Sequence, residues 1–302
     1  MESTPPAPPG TRITGRAGAS RGRSLVATRA FQPGELIAAF DAPILALPDG
    51  ERMRLMCNYC LRRPRIALSS LADLGTAPSQ LGSSSTGLRA CTGCRAAVYC
   101  DAECQRRHWR EVHKHECKVF KRVRERAGKD WLPTPVRAVL QVVAKMQSDS
   151  RVAEAFRPGG WLEGNVEGFK SDKAVWQDIE LQTMAAAVYG DLRMDTIEVV
   201  KEIFCKVSPA LPGTTRPPSD VLPTDILTPH LQIQTNAFDR SDADTGMAGI
   251  YLEPSLAMAN HSCIPNAFVS FDKRAAFLHA EREIKAGEDI DISYIGKSLA
   301  HV

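Results

Sequence analysis

The chain has 302 residues, of which 43% are hydrophobic and 24% charged, and its formal net charge is +3. These values are typical of a globular protein with one large domain or a few small ones, and the charge is too small to indicate a class of partner. No apolar run approaches the roughly 20 residues of a membrane-spanning helix, and the first ten residues lack a hydrophobic signal core, so we expect neither membrane insertion nor secretion. Nine cysteines in such a chain indicate metal binding rather than disulfides.

The N-terminal part is predicted to form short strands and turns. Residues 1–12 are expected to be a disordered Pro-rich tail. Alternation over 25–28 predicts a strand, and the run Gln32-Pro33-Gly34-Glu35 has the composition of a turn. Two further short strands are predicted over 36–40 and 44–47.

Eight potential metal ligands follow in four closely spaced pairs. Cys-x2-Cys is the spacing that lets two thiolates meet one tetrahedral zinc ion, and ligands four residues apart share one face of a helix. Four pairs supply two four-coordinate sites, so the sequence predicts two structural Zn²⁺ ions. The pairs are Cys57 and Cys60, Cys91 and Cys94, Cys100 and Cys104, and His113 and Cys117.

The spacing of these residues leaves two points open. Residues 61–90 are rich in Ser, Gly and Leu, and we interpret them as a flexible insertion. His108 and His115 are rivals of His113 as ligands, since His108 lies four residues after Cys104. We expect His115 to face away from the site, because it lies two residues after His113 on a helix.

Residues 106–129 form a basic segment with ten Lys or Arg and three Glu. One interpretation is a solvated helix face, and the other is a surface for nucleic acid or an acidic partner. The aromatic residues here are Trp109 and Phe120, which are too few for a base-stacking platform. Nucleic acid is therefore a candidate partner on charge alone.

The middle of the chain is predicted to be helical. Apolar residues recur at helical spacing over 136–146, 175–184 and 197–207, which predicts three helices with one buried face each. Cys205 falls in the third and is interpreted as a small buried hydrophobe rather than a ligand. Residues 208–229 contain six prolines without periodicity, which predicts a linker or surface loop.

The C-terminal part returns to strand-like alternation. A strand is predicted over 231–238, followed by an acidic, glycine-bearing loop at 241–246. Residues 269–271 and 275–280 are predicted to form a hairpin.

A polar stretch, Asn260-His261-Ser262-Cys263-Ile264-Pro265-Asn266, lies between apolar runs. A buried unpaired polar group costs about 1–3 kcal/mol, so the stretch indicates either a tight turn or a hydrogen-bonded polar site within the core. Roughly 30 residues later comes Ala286-Gly287-Glu288-Asp289-Ile290-Asp291-Ile292-Ser293-Tyr294-Ile295. In this order, the two runs resemble the two signatures of SET-domain lysine methyltransferases, the second of which ends in the family's active-site tyrosine.

The cysteine region carries a second resemblance. The run Val98-Tyr99-Cys100-Asp101-Ala102-Glu103-Cys104-Gln105, with Trp109 and His113-Lys114-His115-Glu116-Cys117 after it, resembles a MYND zinc finger. Its gap from Cys104 to His113 is one residue longer than the common form. That family interleaves its ligand pairs, which implies one zinc ion on Cys57, Cys60, Cys100 and Cys104 and another on Cys91, Cys94, His113 and Cys117.

The two resemblances identify the chain as a member of the SET- and MYND-domain protein-lysine methyltransferases. They imply an α+β fold, in which a SET-domain β-fold of short strands carries an inserted MYND zinc finger and a helical insertion. The implied parts are the tail 1–12, a SET N-terminal part 13–56, the finger 57–117 with its internal insertion, a helical insertion and linker 118–230, and a SET C-terminal part 231–302.

The resemblance also implies a chemistry and a set of site residues. A methyl group would pass from S-adenosyl-L-methionine to a lysine of a histone tail or another protein, a displacement that depends mainly on alignment. Tyr294 would place its hydroxyl beside the methyl group and the lysine nitrogen, and Tyr251 would line the lysine channel. The implied donor contacts are Arg21, Arg23, Asn236, Asn260 and His261.

Two departures from the family pattern affect these expectations. Ser24 stands where the family usually has glycine, which hinders a close approach of the backbone to the donor. The family also continues to three cysteines that join its signature cysteine on a third zinc ion, whereas this sequence has no cysteine after Cys263 and ends eight residues after Tyr294. We therefore expect a truncated sequence, a weak donor site with an incomplete channel, or completion by a partner chain.

The alternative function is a non-catalytic adaptor whose MYND finger binds Pro-rich peptides or partner proteins. Tyr294, Asn260 and Asn236 favour the enzyme, whereas the absent cysteines favour the adaptor. Nucleus and cytoplasm both fit either function, so we expect one or both.

Overall fold

The computed structural model describes residues 3–15, 22–63, 87–128, 130–132, 134–164, 224–242 and 246–294. Several predictions fall outside these ranges, namely Arg21, Cys205, most of the insertion at 61–90, and the helices over 175–184 and 197–207. No helix in the described part is long and apolar enough to cross a membrane.

The strands of the described part are short. They are β1 Thr11–Gly15, β2 Arg23–Ala27, β3 Leu36–Phe40, β4 Leu45–Pro48, β5 Arg89–Ala90, β6 Val98–Tyr99, β7 Phe238–Asp242, β8 Gly246–Leu252, β9 Asn260–His261, β10 Ala267–Asp272, β11 Ala275–Ala280 and β12 Asp291–Ile292. Two three-stranded sheets have the orders β10–β11–β3 and β4–β8–β7, and the remaining pairs are β1–β2, β5–β6 and β12–β9. The pairing is antiparallel except between β12 and β9, so strands far apart in the sequence are brought together.

The helices are concentrated in the cysteine region and directly after it. They are α1 Ala102–His108, a π-helical turn Trp109–His113, α2 Lys114–Ala127, α3 Thr134–Met146, α4 Ser150–Phe156 and α5 Thr224–Asn236. Helix α3 packs on β4, α2, α4 and α5, and ten consecutive residues from Val136 to Lys145 are buried. The structure therefore has the predicted α+β class, with the strands over 25–28, 36–40 and 44–47 and the helix over 136–146 close to their predicted places.

Two apolar cores meet at strand β4. Leu45 and Leu47 belong to the core shared with the cysteine region and α3, whereas Ala46 belongs to the core of β2, β3 and β11. Successive side chains of a strand point to opposite faces, so a strand between two cores is buried along its whole length. All four residues of β4 are buried accordingly.

The prediction of a disordered tail at 1–12 was wrong for the described residues. Pro5 and Pro8 are buried, and the Pro8 carbonyl accepts hydrogen bonds from both the backbone and the hydroxyl of Thr11. Ser255 Oγ donates to the Pro6 carbonyl at 2.9 Å. Proline fixes its own φ, so this segment loses little entropy on packing, and its carbonyls find donors on the folded part.

The prediction of a strand over 231–238 was also wrong, since helix α5 occupies Thr224–Asn236 and β7 begins at Phe238. The predicted loop over 208–229 likewise contains the first turns of this helix. Leu231, Gln232 and Ile233 are buried consecutively, because α5 packs between α3 and α4. Tertiary packing thus overrides a short alternating pattern, which cannot by itself separate a strand from a buried helix segment.

Candidate functional site

The eight predicted metal ligands come together as two groups of four. Within each group, the sulfur and nitrogen atoms lie within 4.8 Å of one another. Three sulfur pairs are in direct contact, at 3.4 Å for Cys100–Cys104, 3.7 Å for Cys60–Cys100 and 3.9 Å for Cys91–Cys117. A tetrahedral zinc site with Zn–S bonds of about 2.3 Å has edges of about 3.8 Å, so both groups fit a zinc ion. The first group is Cys57, Cys60, Cys100 and Cys104, and the second is Cys91, Cys94, His113 and Cys117.

The two Cys-x2-Cys segments adopt the same turn. Leu61 N donates to Cys57 O at 2.9 Å, and Arg95 N donates to Cys91 O at 2.8 Å. Leu61 and Arg95 have φ of 61° and 58°, which is unusual for residues other than glycine. The equivalent strain in both segments indicates that each is shaped to aim two thiols at one point.

The backbone of the second turn lies close to the sulfur atoms at Gly93. A Cβ atom added there would lie 3.0 Å from Cys117 Sγ and 3.8 Å from Cys91 Sγ. A side chain at this position would therefore crowd Cys117, although the equivalent position of the first turn is Tyr59.

A π-helical turn explains the long spacing between Cys104 and His113. The turn spans Trp109–His113 and joins α1 to α2 without a break. A π turn adds one residue to an α-helix, so it absorbs the extra residue and returns His113 to the ligand face. His108, one of the rivals, contacts Tyr99 Oη through Nδ1 at 3.0 Å and stands in neither group of four.

The thiols of each group influence one another's protonation. A hydrogen bond from Cys60 lowers the pKa of Cys57 to about 5, and bonds from Cys94 and His113 lower the pKa of Cys91 to about 3. The pKa of Cys60 and of Cys94 is raised in return, because each thiol donates the hydrogen bond that its partner thiolate accepts and because burial disfavours a further charge. Each group thus releases one proton readily, and a metal cation would compensate the further thiolates.

A second site is a cavity of about 940 Å³ between the end of α5, β10 and the segment around Tyr294. Four aromatic rings line it, and its two charged lining residues are the carboxylates of Asp239 and Glu281. None of the described lining residues is Lys or Arg. The aromatic residues are Phe238, Phe268, Phe271 and Tyr294.

Tyr294 is fixed at this cavity by two hydrogen bonds. Its hydroxyl donates to the Ala259 carbonyl at 2.8 Å, and its backbone N–H donates to His261 Nδ1 at 3.0 Å. Burial, and then the charge of Asp291, raise the pKa of the Tyr294 phenol, which keeps it protonated near neutral pH. The parallel pairing of β12 with β9 sets Asp291 opposite Asn260 and Ile292 opposite His261, which brings the two signature runs together.

The two asparagines of the polar stretch are satisfied internally. Asn260 Nδ2 donates to Arg23 O at 3.0 Å and to Ser24 Oγ at 2.9 Å. Asn266 is 5% exposed, donates to Asp289 O, and accepts from Asp291 N. The expected hydrogen-bonded polar stretch is therefore present, and Ser24 uses its hydroxyl to join Asn260 to β2.

Glu163 connects three of the predicted donor contacts, and sequence reasoning missed it. Its carboxylate accepts from Arg23 Nε at 2.9 Å, and its carbonyl accepts from Asn236 Nδ2 at 2.7 Å. Arg23 in turn holds Asn260 through its carbonyl. A lone glutamate before a glycine has no distinguishing pattern, so only its contacts identify it.

Among the predicted site residues in the described ranges, Asn236 and Tyr294 line the cavity, whereas Arg23, Asn260, His261 and Tyr251 do not. Tyr251 is fully buried, its hydroxyl donates to Phe40 O at 2.8 Å, and it does not line the cavity, so its predicted channel role gains no support from the geometry. In the basic segment, Arg106 and Arg107 both pair with Glu103. This pairing favours the interpretation as a solvated helix face over the interpretation as a nucleic-acid surface.

Comparison with known proteins places this site in a family. The SET domain family model matches residues 22–295. Histone-lysine N-methyltransferase SMYD3 of Mus musculus is 27% identical over 277 residues, which cover 92% of this chain and 54% of that protein. N-lysine methyltransferase SMYD2 of Homo sapiens is 26% identical over 281 residues, 91% of this chain and 52% of that protein. The chain spans about half the length of the curated relatives it matches.

Among solved structures, similarity is seen to the SET domain of LSMT bound to lysine and AdoHcy, with 13% identity and a TM-score of 0.35 over 98% of this chain and 51% of that one. A score this low supports no argument about the site. The family model covers most of the chain, and both signature runs and both metal-ligand groups lie within its limits. The chain belongs to the SET-domain family, and it is similar to the members that also carry a MYND zinc finger.

Proposed function

We propose that this protein is a protein-lysine N-methyltransferase that uses S-adenosyl-L-methionine and holds two structural Zn²⁺ ions. The observation that carries the proposal is the cavity beside Tyr294, whose described lining includes four aromatic rings and two carboxylates but no Lys or Arg. The donor and a lysine substrate are both cationic. Aromatic faces and carboxylates attract cations, so the cavity suits both reactants.

The size and polar groups of the cavity also fit the donor. Its volume of about 940 Å³ lies at the upper end of the range for small-molecule sites, about 300–1,000 Å³. Asn236 is held at its edge by bonds to Glu163 O and Gln232 O. The network from Asn236 through Glu163 and Arg23 to Asn260 lies next to the cavity and would hold Asn236 ready for the donor.

The chain's own residues would act through alignment. When bound, S-adenosyl-L-methionine would supply a methyl group on a positively charged sulfur; a lysine that arrives as the ammonium and loses its proton to solvent would attack as the neutral amine, the N–C bond would form as the C–S bond breaks, and S-adenosyl-L-homocysteine would leave. The Tyr294 hydroxyl donates its hydrogen to Ala259 O, so the lone pairs of the hydroxyl oxygen remain available. They would accept a hydrogen bond from the substrate amine and so orient the nitrogen lone pair towards the methyl group. His261 keeps Tyr294 in this position through the backbone bond.

A calorimetric titration followed by a peptide methylation assay tests the proposal. The folded protein should bind S-adenosyl-L-methionine, and Asn236→Ala should weaken binding about tenfold, since one hydrogen bond is worth about 1–1.5 kcal/mol. Tyr294→Phe should bind the donor normally and slow methylation of histone peptides by about 100-fold.

Tyr251→Phe is the matched control, because it removes a tyrosine hydroxyl that lies outside the cavity. It should retain activity. Absence of donor binding by the folded protein would reject the enzyme, and full activity of Tyr294→Phe would reject the assigned role.

A specific observation favours a second function, binding of Pro-rich peptides. Trp109 is 45% exposed and lies in a groove of about 610 Å³ with Ala102, Glu103, Gln105 and Arg106. An exposed aromatic residue in a shallow groove is the usual element that recognises a polyproline helix. In a calorimetric titration, a Pro-rich peptide should bind the wild type and bind Trp109→Ala at least tenfold more weakly. Equal affinity for the two proteins would reject this function.

A further inference from the structure

The histidine of the second metal group contacts a buried carboxylate that the proposed chemistry does not use. His113 Nε2 lies 3.7 Å from Cys94 Sγ, and His113 Nδ1 lies 3.3 Å from Glu116 Oε2. His113 and Glu116 are both 0% exposed. One ring nitrogen thus faces the thiols, and the other faces the carboxylate.

Helix α3 completes the environment of this carboxylate. Arg137 Nε donates to Glu116 Oε1 at 2.7 Å, and Gln141 Nε2 donates to the same oxygen at 2.7 Å. Arg137 is 0% exposed and Gln141 is 2% exposed. A buried carboxylate is tolerated only when it is paired and hydrogen-bonded, so the side chains of α3 are what allow Glu116 to remain charged in the interior.

The chemistry of a metal-bound histidine explains why a carboxylate is useful here. A neutral imidazole that binds a metal through Nε2 carries its proton on Nδ1, and that proton requires an acceptor. Glu116 lies three residues after His113 on the same helix face, so its carboxylate reaches Nδ1, the ring nitrogen that faces away from the thiols. His108 stacks on the His113 ring with centroids 5.1 Å apart and limits its rotation.

We infer that Glu116 is a positioning residue for the second zinc ion. It selects the Nδ1–H tautomer of His113 and fixes the ring, and Arg137 and Gln141 extend this support to α3. Helix α3 is therefore part of the metal site, although it contributes no ligand. The inference rests on metal binding by the second group and is independent of methyl transfer.

Glu116→Gln tests the inference because it keeps the size of the side chain and removes the charge. Zinc affinity is measured by competition with a chromogenic chelator, and zinc per chain is counted by native mass spectrometry. We expect one of the two ions to bind about 10–100-fold more weakly and the other to bind as in the wild type. Glu111→Gln is the matched control, since Glu111 also pairs with an arginine but touches no metal ligand. It should leave both ions unchanged.

Two results would overturn the inference: a folded Glu116→Gln protein that binds both ions normally, or one in which both ions weaken equally. If Glu116→Gln does not fold, the double variant Glu116→Gln/Arg137→Met also removes the Arg137 charge that is left unpaired. We expect it to show the same weaker binding of one zinc ion only. Nitrogen-15 NMR of the wild-type histidines supplies a further readout. We expect His113 to bear a proton on Nδ1 and metal on Nε2, and the opposite assignment would reject the positioning role.

Discussion

The cysteine region and the cavity around Tyr294 are built in opposite ways. In the cysteine region, two or three residues separate the members of each ligand pair, and short-range turns aim the thiols of the two Cys-x2-Cys pairs. In the network that adjoins the cavity through Asn236, Arg23, Glu163 and Asn260 come from three distant parts of the chain and meet only through tertiary packing. The first region therefore depends on metal, and the second on sheet register and apolar burial.

The substitution with the largest expected effect disrupts the cysteine region alone. Cys91→Ser should lose one of two zinc ions and destabilise the cysteine region by more than about 4 kcal/mol, because structural zinc in small fingers contributes about 10–16 kcal/mol. Metal analysis and chemical denaturation measure both quantities. Cys263→Ser is the control, since Cys263 is exposed and belongs to neither ligand group; a Cys91→Ser protein with two zinc ions would contradict the grouping.

The substitution with the next largest effect disrupts the sheet β4–β8–β7, which contributes β4 to both apolar cores. Gly249 has φ of +150°, and a Cβ atom there would lie 1.8 Å from Leu47 O on β4. Gly249→Ala should therefore cost at least about 3 kcal/mol of unfolding free energy while the protein retains both zinc ions. Gly34→Ala, at φ of +81° with open space around it, should cost only about 1–2 kcal/mol. Equal costs for the two variants would show that the close approach to β4 is not required.

A pH-dependent effect tests the contact between α3 and the segment that precedes β4. Lys145 of α3 is buried and donates to Ile44 O at 2.7 Å, and burial lowers its pKa from 10.5 to about 8. Between pH 8 and 10.5, the unfolded chain therefore binds more protons at Lys145 than the folded protein does. The free energy of unfolding rises with pH over this window by about 3 kcal/mol, and Lys145 causes no pH dependence of stability below it.

Lys145→Met should remove this rise of the free energy of unfolding with pH. Urea denaturation of both proteins between pH 7 and 10.5 measures it, and the difference between the two curves cancels the other titrating groups. Parallel curves would show that the Lys145 ammonium is solvated in the folded protein.

The smallest effect concerns the ion pair between the two regions. Arg274, in the turn between β10 and β11, pairs with Glu111 at 3.2 Å and lies over the Tyr59 ring at 4.7 Å. Arg274→Met keeps the apolar stem and should cost about 1 kcal/mol, with less loss in high salt, because the pair is partly exposed. A double-mutant cycle with Glu111→Gln isolates the coupling, and a coupling of zero would leave only packing between the regions.

Prediction from the sequence was most accurate where spacing alone dictates geometry. The four ligand pairs follow from Cys-x2-Cys turns and helix-face spacing, and the short strands near Leu25 and Leu45 follow from alternation. The interleaving of the pairs into two groups was implied by the resemblance to MYND zinc fingers. Helix α5 was missed because Leu231 and Ile233 alternate like a strand, and their burial depends on α3. The ordered proline segment was missed because composition does not reveal the donors, such as Ser255, that its carbonyls meet.

The sequence by itself determined the four pairs of metal ligands and the two signature runs, because each rests on local spacing, and the resemblance that these motifs carry implied the α+β class. The tertiary structure decided which residues surround the site. Glu163 joins the predicted donor contacts, Glu116 supports His113 with the help of α3, and Tyr251 lies in the core instead of the cavity. These assignments depend on distances between side chains far apart in the sequence, which only the pairing of strands and the packing of helices can set.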